Sequence, residues 1–440
     1  MATRALVVAC CAVLIGGSAH SAELRGRLTT LAYTQERFDV DGNTEQIPLF
    51  QFVSLNAYDL GNEALSFHLD GFGKVDLRDQ TYDHNVDGEL TYAYLQWRDR
   101  ERNLFVRAGR QFVRAGVASE YLDGVYGDWL SQYRIGFQAY AGRQVNDDIG
   151  GRSGDLEWGG RLYTRQPRFE VGASAMETRD DDQTGFARLG LDGWAQVIDK
   201  VAVNAHGFWD RISEEWFDYQ FLLTWEATAK LLFSADYGQV IPNLFLSHTS
   251  IFGNLIFSDD KQRELGLRAD YRVDRHWTLS ADARRYDYSD GDDDWTEGAE
   301  GHYRWGKGLR NEVGAAFENW PESKRTHLYG RYTFDNPWVT SRSDLTRLFY
   351  GLDFILYHFD DPIFPGDRQH YTYSTTATLG ADIGDHWQLT GSLDYGTRPD
   401  YRDYTTVTAG GSEIRVPSTR ESDLGFRQDV DATVKLVYNF

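Results

Sequence analysis

The chain of 440 residues carries a formal net charge of −22 at pH 7, which argues against nucleic acid as a partner and against simple electrostatic binding to anionic lipid. Aromatic residues make up 15% of the chain, beside 43 Gly and only 9 Pro, and no run of 18 apolar residues follows the N-terminal segment, which excludes helical membrane spans. An aromatic- and Gly-rich polar chain is typical of a large soluble β protein or of a transmembrane β-barrel.

The first 22 residues have the three regions of a secretory signal peptide. Arg4 supplies the positive charge, residues 5–15 form an apolar core too short to span a bilayer, and residues 16–22 form a mostly small-residue cleavage region. We therefore expect a cleaved signal peptide over 1–22 and a single domain over 23–440.

Both cysteines of the chain, Cys10 and Cys11, lie in the predicted signal peptide. The mature protein is therefore expected to have no disulfide, no thiolate metal site and no covalently attached haem. Cleavage before Cys10, as in a lipoprotein, is the disfavoured alternative because it would leave only five apolar residues in the signal.

Apolar and polar residues alternate along most of the remaining chain, as in segments 265–273, 276–288 and 386–396. A period of two indicates strands with one apolar and one polar face. The segments run to about 10–13 residues, the length a tilted strand needs to cross a bilayer, whereas strands of soluble sandwiches are usually shorter. Aromatic residues near the segment ends fit an interfacial girdle.

Connections between the segments fall into a short and a long set. The short set includes 60–62, 98–102, 165–167, 226–229, 274–275 and 384–385, and the long, often acidic set includes 76–88, 145–155, 178–183 and 289–295. Short periplasmic turns and longer extracellular loops are barrel anatomy. We predict an all-β fold, a single transmembrane antiparallel β-barrel of about 22 strands (range 16–22) without a plug domain; segments 113–134 and 241–258 alternate poorly.

Two further stretches do not read as simple strands. Residues 240–260 are long and apolar, and we weigh equally a loop folded into the pore or packed on a partner and two strands prolonged beyond the membrane. Residues 397–423 form the longest polar connection, which either lies over the mouth of the barrel or is solvated outside it. His-Trp follows a tight turn at His276 and again at His386, and we interpret each as a girdle Trp beside a structural histidine rather than a ligand.

If the apolar set faces lipid, the alternate set faces a polar lumen. We expect lumen and selectivity positions at Lys74, Arg107, Arg268, Asp270, Arg272, Asp282, Arg284, Arg331, Asp353 and Asp394. Individually such residues are more often structural ion pairs of the wall. With the further acidic positions Asp70, Asp236, Glu312 and Asp382, the inner set has six basic and eight acidic residues. This slight acidic excess favours mild cation selectivity.

The chain ends in an alternating segment that stops on an aromatic residue. The predicted girdle and C-terminal assembly positions are Trp277, Trp387, Tyr395, Leu436, Tyr438 and Phe440. With the signal peptide and the alternation, this ending resembles the outer-membrane porins of Gram-negative bacteria, and segment 104–129 is similar to a stretch of alginate-export-type and related large porins, over one hairpin only. The resemblance implies passage of small hydrophilic solutes, recognition by the barrel-assembly machinery, contact with outer-membrane lipid and lipopolysaccharide, and, in 16-stranded forms, trimers.

Three rival functions come from other classes. A TonB-dependent transporter is disfavoured because segment 23–35 reads as a strand directly after the cleavage region, where such a transporter would have its plug. The main alternative is a barrel that sheathes a periplasmic multihaem cytochrome for electron transfer. A membrane-embedded hydrolase is disfavoured because neither a Gly-x-Ser-x-Gly motif nor a same-face histidine pair occurs.

The sequence therefore predicts a non-enzymatic channel integral to the bacterial outer membrane, reached through the periplasm. We expect no catalytic residue, no metal site, no cofactor and no nucleic-acid partner. Homo-oligomerisation and a cytochrome partner stay open.

Overall fold

A computed structural model describes residues 23–39, 42–61, 63–78, 86–145, 155–180, 183–245, 261–288, 293–320, 324–335, 345–360, 370–401, 404–409, 412–417 and 424–440. The predicted signal peptide lies outside these residues. Within the described ranges, no helix is long and apolar enough to cross a membrane.

The described chain is almost entirely β-strand. The strands are β1 (Glu23–Tyr33), β2 (Gln35–Asp39), β3 (Gly42–Gln46), β4 (Pro48–Tyr58), β5 (Leu65–Asp76), β6 (Val86–Asp99), β7 (Leu104–Ala115), β8 (Ala118–Leu130), β9 (Ile135–Gln144), β10 (Leu156–Gln166), β11 (Phe169–Asp180), β12 (Gln183–Ile198), β13 (Val201–Asp210), β14 (Glu215–Thr228), β15 (Leu231–Val240), β16 (Gln262–Arg272), β17 (Trp277–Tyr288), β18 (Asp293–Trp305), β19 (Asn311–Asn319), β20 (Lys324–Asp335), β21 (Leu345–Phe359), β22 (Tyr371–Ile383), β23 (Trp387–Tyr401), β24 (Tyr404–Ala409), β25 (Ser412–Pro417) and β26 (Leu424–Asn439). Two 3-10 turns occur at Pro242–Phe245 and Lys307–Leu309.

Twenty-two of these strands form one closed antiparallel barrel. Each pairs with its neighbours along the chain, and β26 pairs with β1 to close the sheet. Strands β2–β3 and β24–β25 are separate two-stranded hairpins inside the β1–β4 and β23–β26 connections. The predicted all-β barrel of about 22 strands is confirmed, and the soluble sandwich is excluded.

The seam between the last and first strands uses the chain terminus itself. Leu28 lies opposite Tyr438 and Ala32 opposite Val434, so the alternating C-terminal residues form part of the wall. Gly26 and Phe440 exchange two backbone hydrogen bonds, at 2.9 and 3.0 Å. A Cβ on Gly26 would lie within 2.1 Å of the Phe440 ring, so glycine leaves the room that the terminal ring occupies.

Side chains alternate between the two faces of the wall along each strand, and directly paired residues on neighbouring strands share a face. The two faces of the wall are chemically distinct. One face carries a broad set of exposed apolar side chains, among them Leu265, Leu279, Leu389 and Val434. The opposite register carries most of the ion pairs. Several of those pairs join next-nearest strands, such as Arg161 on β10 with Asp192 on β12, which places this register on the inside of the curve.

The two edges of the barrel also differ, as the connection lengths predicted. All six predicted short turns lie at the edge that holds both chain ends, and all four predicted long connections lie at the opposite edge. We call these the terminal edge and the loop edge. The β20–β21 connection, residues 336–344, departs from the pattern because it is long yet lies at the terminal edge; the β7–β8 turn is short yet lies at the loop edge.

Candidate functional site

The inner wall of the barrel holds all ten residues that the sequence assigned to a lumen. In the strand register Arg268 lies opposite Asp282, Arg331 opposite Asp353, and Asp394 opposite Thr376, all on the inner face. Lys74 differs from the others because it is only 4% exposed and lies 3.3 Å from Asp76, so it is not in contact with open solvent.

Chains of opposite charge cross several inner strands. Arg161 contacts Glu170 at 2.9 Å on β11 and also binds Asp192 on β12, and its guanidinium lies over Gly172 on the strand between them. Arg284 contacts Glu264 at 2.9 Å and Asp236 at 3.2 Å, so one cation faces two carboxylates. The paired charges make the wall polar while holding side chains close to it.

Arg107 is an exception to this pairing. Its Nε donates to Gln96 Oε1 at 2.9 Å, and no carboxylate among the described residues forms an ion pair with it. The guanidinium instead lies 5.2 Å from the Tyr94 ring centroid and 5.0 Å from that of Phe105, a cation–π arrangement.

The hairpin formed by β7 and β8 leaves the wall at the loop edge and folds into the barrel. Pairing between β6 and β7 stops at Ala93 and Arg110. At that level Gly109 has φ +128°, and a Cβ there would lie 2.2 Å from the Ala93 carbonyl oxygen. Gly124, its partner on β8, is equally close to the carbonyl of Ala141. The two glycines therefore allow the bend that turns the hairpin inward.

The hairpin tip rests on the inner wall about three strands away. The Val117 amide donates to Ser174 Oγ on β11 at 2.9 Å. A Cβ on Gly190 of β12 would lie 3.1 Å from Val117 Cβ. The apolar contact cluster beneath the tip consists of Val113, Ala115, Val117, Ala118, Leu122, Tyr126, Tyr140 and Met176. By alternation, Phe112 and Tyr121, each 40% exposed, point away from this cluster.

A polar layer lies between the hairpin and the wall. The Gln144 amide donates to Glu157 Oε2 at 2.7 Å and also to Glu120 of the hairpin. Glu157 has no exposed surface. The tip is thus fixed by hydrogen bonds as well as by apolar packing.

A second segment, residues 241–245, enters the lumen from the β15–β16 connection. Ile241 and Leu244 are buried against Phe217. The Arg188 guanidinium of β12 donates to the Leu244 carbonyl and lies 4.5 Å from the Phe217 ring centroid. Phe208 packs against both this cluster and the hairpin cluster. The two insertions are therefore contiguous and together fill part of the lumen near the loop edge.

The structure describes only part of the two stretches whose arrangement the sequence left open. For 240–260, the described part, 241–245, folds inward, while 246–260 lies outside the described residues. In 397–423, residues 397–401 belong to β23 and the β24–β25 hairpin follows; the other residues lie outside the description. The inward fold of β7–β8 was missed by the sequence, although the weak alternation after residue 113 signalled a departure there.

The predicted girdle residues lie on the outer register. Trp277 and Trp387 are at the terminal edge and Tyr395 is toward the other end of β23. Trp387 packs on Tyr438 with 4.4 Å between ring centroids, and Trp277 packs on Tyr303 at 5.0 Å. The neighbouring histidines are structural: Nδ1 of His276 donates to the Arg304 carbonyl and Nδ1 of His386 to the Asn439 carbonyl, each at 2.7 Å.

The closed wall, with an apolar outside and a charged inside, defines a large β-barrel whose fold is similar to that of solved outer-membrane receptors. A mutant of the ferric enterobactin receptor PfeA from Pseudomonas aeruginosa has a similar structure, with a TM-score of 0.57, 11% identity, and coverage of 96% of this chain and 81% of the receptor. The siderophore receptor PirA from the same organism is similar at a TM-score of 0.56, with 11% identity and the same coverages. No known protein family and no curated protein matches the sequence. The similarity at this identity is one of fold.

Proposed function

We propose that the protein is an outer-membrane porin that passes small hydrophilic solutes or ions through a partly constricted lumen. The observation that carries the proposal is the division of one closed wall into an exposed apolar outer register and an ion-paired inner register. Such a division suits lipid outside and water inside.

The wall has suitable dimensions for this role. A strand of 11 residues such as β16 is roughly 36 Å long, and a tilt of about 40–45° reduces its height to about 26 Å, close to the apolar thickness of an outer membrane. Twenty-two strands at that tilt and a spacing of about 4.8 Å enclose a cylinder roughly 46 Å across at the backbone.

A lumen this wide would admit large molecules unless something narrowed it. We assign that role to the β7–β8 hairpin and residues 241–245. The same insertions weigh against a sheath around a multihaem cytochrome, because they occupy space that such a partner would need. We assign the protein no enzymatic activity.

Single-channel recording of the purified protein in planar bilayers tests the proposal. We expect a stable open conductance. Replacing residues 112–121 by a short glycine turn should raise that conductance severalfold, because the tip no longer covers the wall. As a matched control, shortening the connection 211–214, at the same edge but outside the insertions, should leave it unchanged.

An electrically silent barrel would overturn the porin proposal. Electron transfer across a vesicle membrane only when a periplasmic cytochrome is supplied would replace it with the conduit.

A further inference from the structure

The inner faces of β1 and β4–β6 carry a ladder of aromatic rings. At the end of the ladder nearer the loop edge, Tyr33 stacks on Phe50, with ring centroids 6.1 Å apart and ring planes 7° apart. Phe50 stacks on Phe52 at 5.8 Å and 12°, and Phe52 meets Phe72 at 5.6 Å. These phenyl rings belong to the inner register, which elsewhere carries mostly polar side chains.

The ladder continues toward the terminal edge. Tyr58 contacts His68 at 5.6 Å, His68 stacks on Tyr94 at 4.9 Å, and Tyr92 lies 5.7 Å from Tyr94. We call inner residues that lie opposite one another on neighbouring strands a row. In the row between the phenyl rings and the Tyr58–His68–Tyr94 group, Ser54 lies opposite Asp70, and Asp70 lies opposite Tyr92. Every inner row from Phe50 to Tyr58 therefore presents at least one ring, over a length of roughly 26 Å at 3.3 Å per residue.

These rings are not buried as a core would be. Phe52 is 37% exposed, and Phe50, Phe72, Tyr92 and Tyr94 are half-buried. Apolar surface left open along a polar wall is unfavourable unless a ligand covers it, and such surface commonly marks a binding site.

Polar groups line the ladder without giving it a strong net charge. Asp70, Asn56 and the Tyr92 hydroxyl supply acceptors and a donor beside the rings. The cation–π position over Tyr94 is already taken by Arg107. The phenyl rings nearer the loop edge face one charge of each sign, because Lys74 lies opposite Phe50 and Glu89 lies opposite Phe72. A strongly charged ligand therefore has little advantage here.

We propose that this aromatic ladder binds neutral sugars, as successive subsites for the pyranose rings of an oligosaccharide crossing the lumen. A pyranose has an apolar face of C–H groups that stacks on an aromatic ring and a rim of hydroxyls that hydrogen-bonds to flanking amides and carboxylates. Rings in every row let the sugar move from one subsite to the next without losing all stacking. This inference rests on the proposed channel function and names its solute class.

Blockage of the ion current by maltohexaose, a neutral linear glucose oligomer, tests the inference. We expect a concentration-dependent reduction of current in the unmodified protein. The double variant Phe52→Ala, Phe72→Ala should raise the half-blocking concentration roughly tenfold while leaving the sugar-free conductance near its original value, because two stacking contacts are lost. Tyr357→Ala, an inner-register ring on β21, is the matched control and should behave like the unmodified protein.

A polyethylene glycol of the same mass controls for obstruction by size and should block every variant alike. Where the alanine variant does not fold, Phe52→Leu keeps apolar volume but removes the ring, and should still weaken sugar block. An open channel that maltohexaose does not block, or blocks equally in the ladder variant, overturns the sugar site but leaves the porin proposal standing. Stronger ring-dependent block by benzyltrimethylammonium would also overturn it, in favour of organic cations. A silent barrel would instead overturn the porin itself.

Discussion

A single aspartate, Asp274, fixes the β16–β17 turn at the terminal edge by hydrogen bonds that depend on the ionisation of its carboxyl group. In the β16–β17 turn, Asp274 Oδ1 accepts the backbone N–H groups of His276 at 2.7 Å and Trp277 at 2.9 Å. These two donors lower the pKa of the Asp274 carboxyl below its ordinary value of 3.8. The charged form is therefore favoured in the folded protein more than in the unfolded chain.

We expect Asp274→Ala to lower the urea midpoint of the protein in detergent micelles at pH 7. A carboxyl whose folded pKa is depressed stabilises the fold above its unfolded pKa, and this contribution disappears as the pH falls through the folded pKa. The difference between the variant and the unmodified protein should therefore shrink below about pH 4. Asp274→Asn, which keeps an acceptor oxygen, should fall between the two at pH 7.

The second His-Trp turn provides the control. Asp385 precedes His386 directly and accepts no backbone hydrogen bond from the described residues around it. Asp385→Ala should leave the urea midpoint unchanged at both pH values. A pH-independent loss in Asp274→Ala would contradict the turn-capping role.

Among the elements, the β7–β8 hairpin folds into the barrel, and its tip contacts β11 and β12. Pairs of introduced cysteines can test this position of the tip. The only natural cysteines lie in the predicted signal peptide, so an introduced pair has no competing partner. Val117→Cys with Gly190→Cys should form a disulfide on oxidation, because the Cβ separation of 3.1 Å is close to the range that disulfides need. The cross-link is measured as a mobility difference between reducing and non-reducing gels.

Leu191 is the matched position for this test. It follows Gly190 on β12 but is 57% exposed on the outer register. Val117→Cys with Leu191→Cys should not cross-link. Equal cross-linking of both pairs, or of neither, would place the tip elsewhere.

The closing strand has its own prediction. Deleting Phe440 removes the two backbone hydrogen bonds to Gly26 and the ring that packs over it. We expect a lower yield of folded, heat-modifiable barrel, whereas the molecules that do insert should conduct normally, because the lost contacts lie in the seam and not in the lumen. Phe440→Tyr keeps the ring and should assemble well; normal assembly after the deletion would count against the seam role.

The sequence predicted the parts of the barrel that depend on local pattern. Alternation identified the strands and their faces, as at Trp387, Leu389 and Tyr395, because the side-chain period of two is a property of each strand by itself. It could not predict the contact of Val117 with Ser174, which joins residues 57 positions apart. Nor could it show that rings on β4, β5 and β6 come into register, since that depends on the order and stagger of strands in the closed sheet.

At the scale of the whole molecule, the balance of inner charges predicts how the channel discriminates between ions. Arg284 faces two carboxylates, and Asp282, on the neighbouring inner row, has no ion pair among the described residues. With a chain that carries −22 overall, we expect the reversal potential in a KCl gradient to show cation preference. The preference should be clear at about 0.1 M, where the Debye length is about 10 Å, and weak at about 1 M, where it is about 3 Å and charges on the wall no longer reach the middle of the lumen.

Neutralising one carboxylate on the inner wall and one carboxylate away from it distinguishes the effect of inner-wall charge from the effect of the net charge of the protein. Asp282→Asn should reduce cation preference at low salt because it removes an unpaired inner charge. Asp199→Asn changes the net charge equally, but its side chain is 80% exposed in the β12–β13 turn, so it should leave the reversal potential unchanged. Anion preference in the unmodified protein, or equal shifts in the two variants, would show that charges other than those of the inner wall govern ion passage.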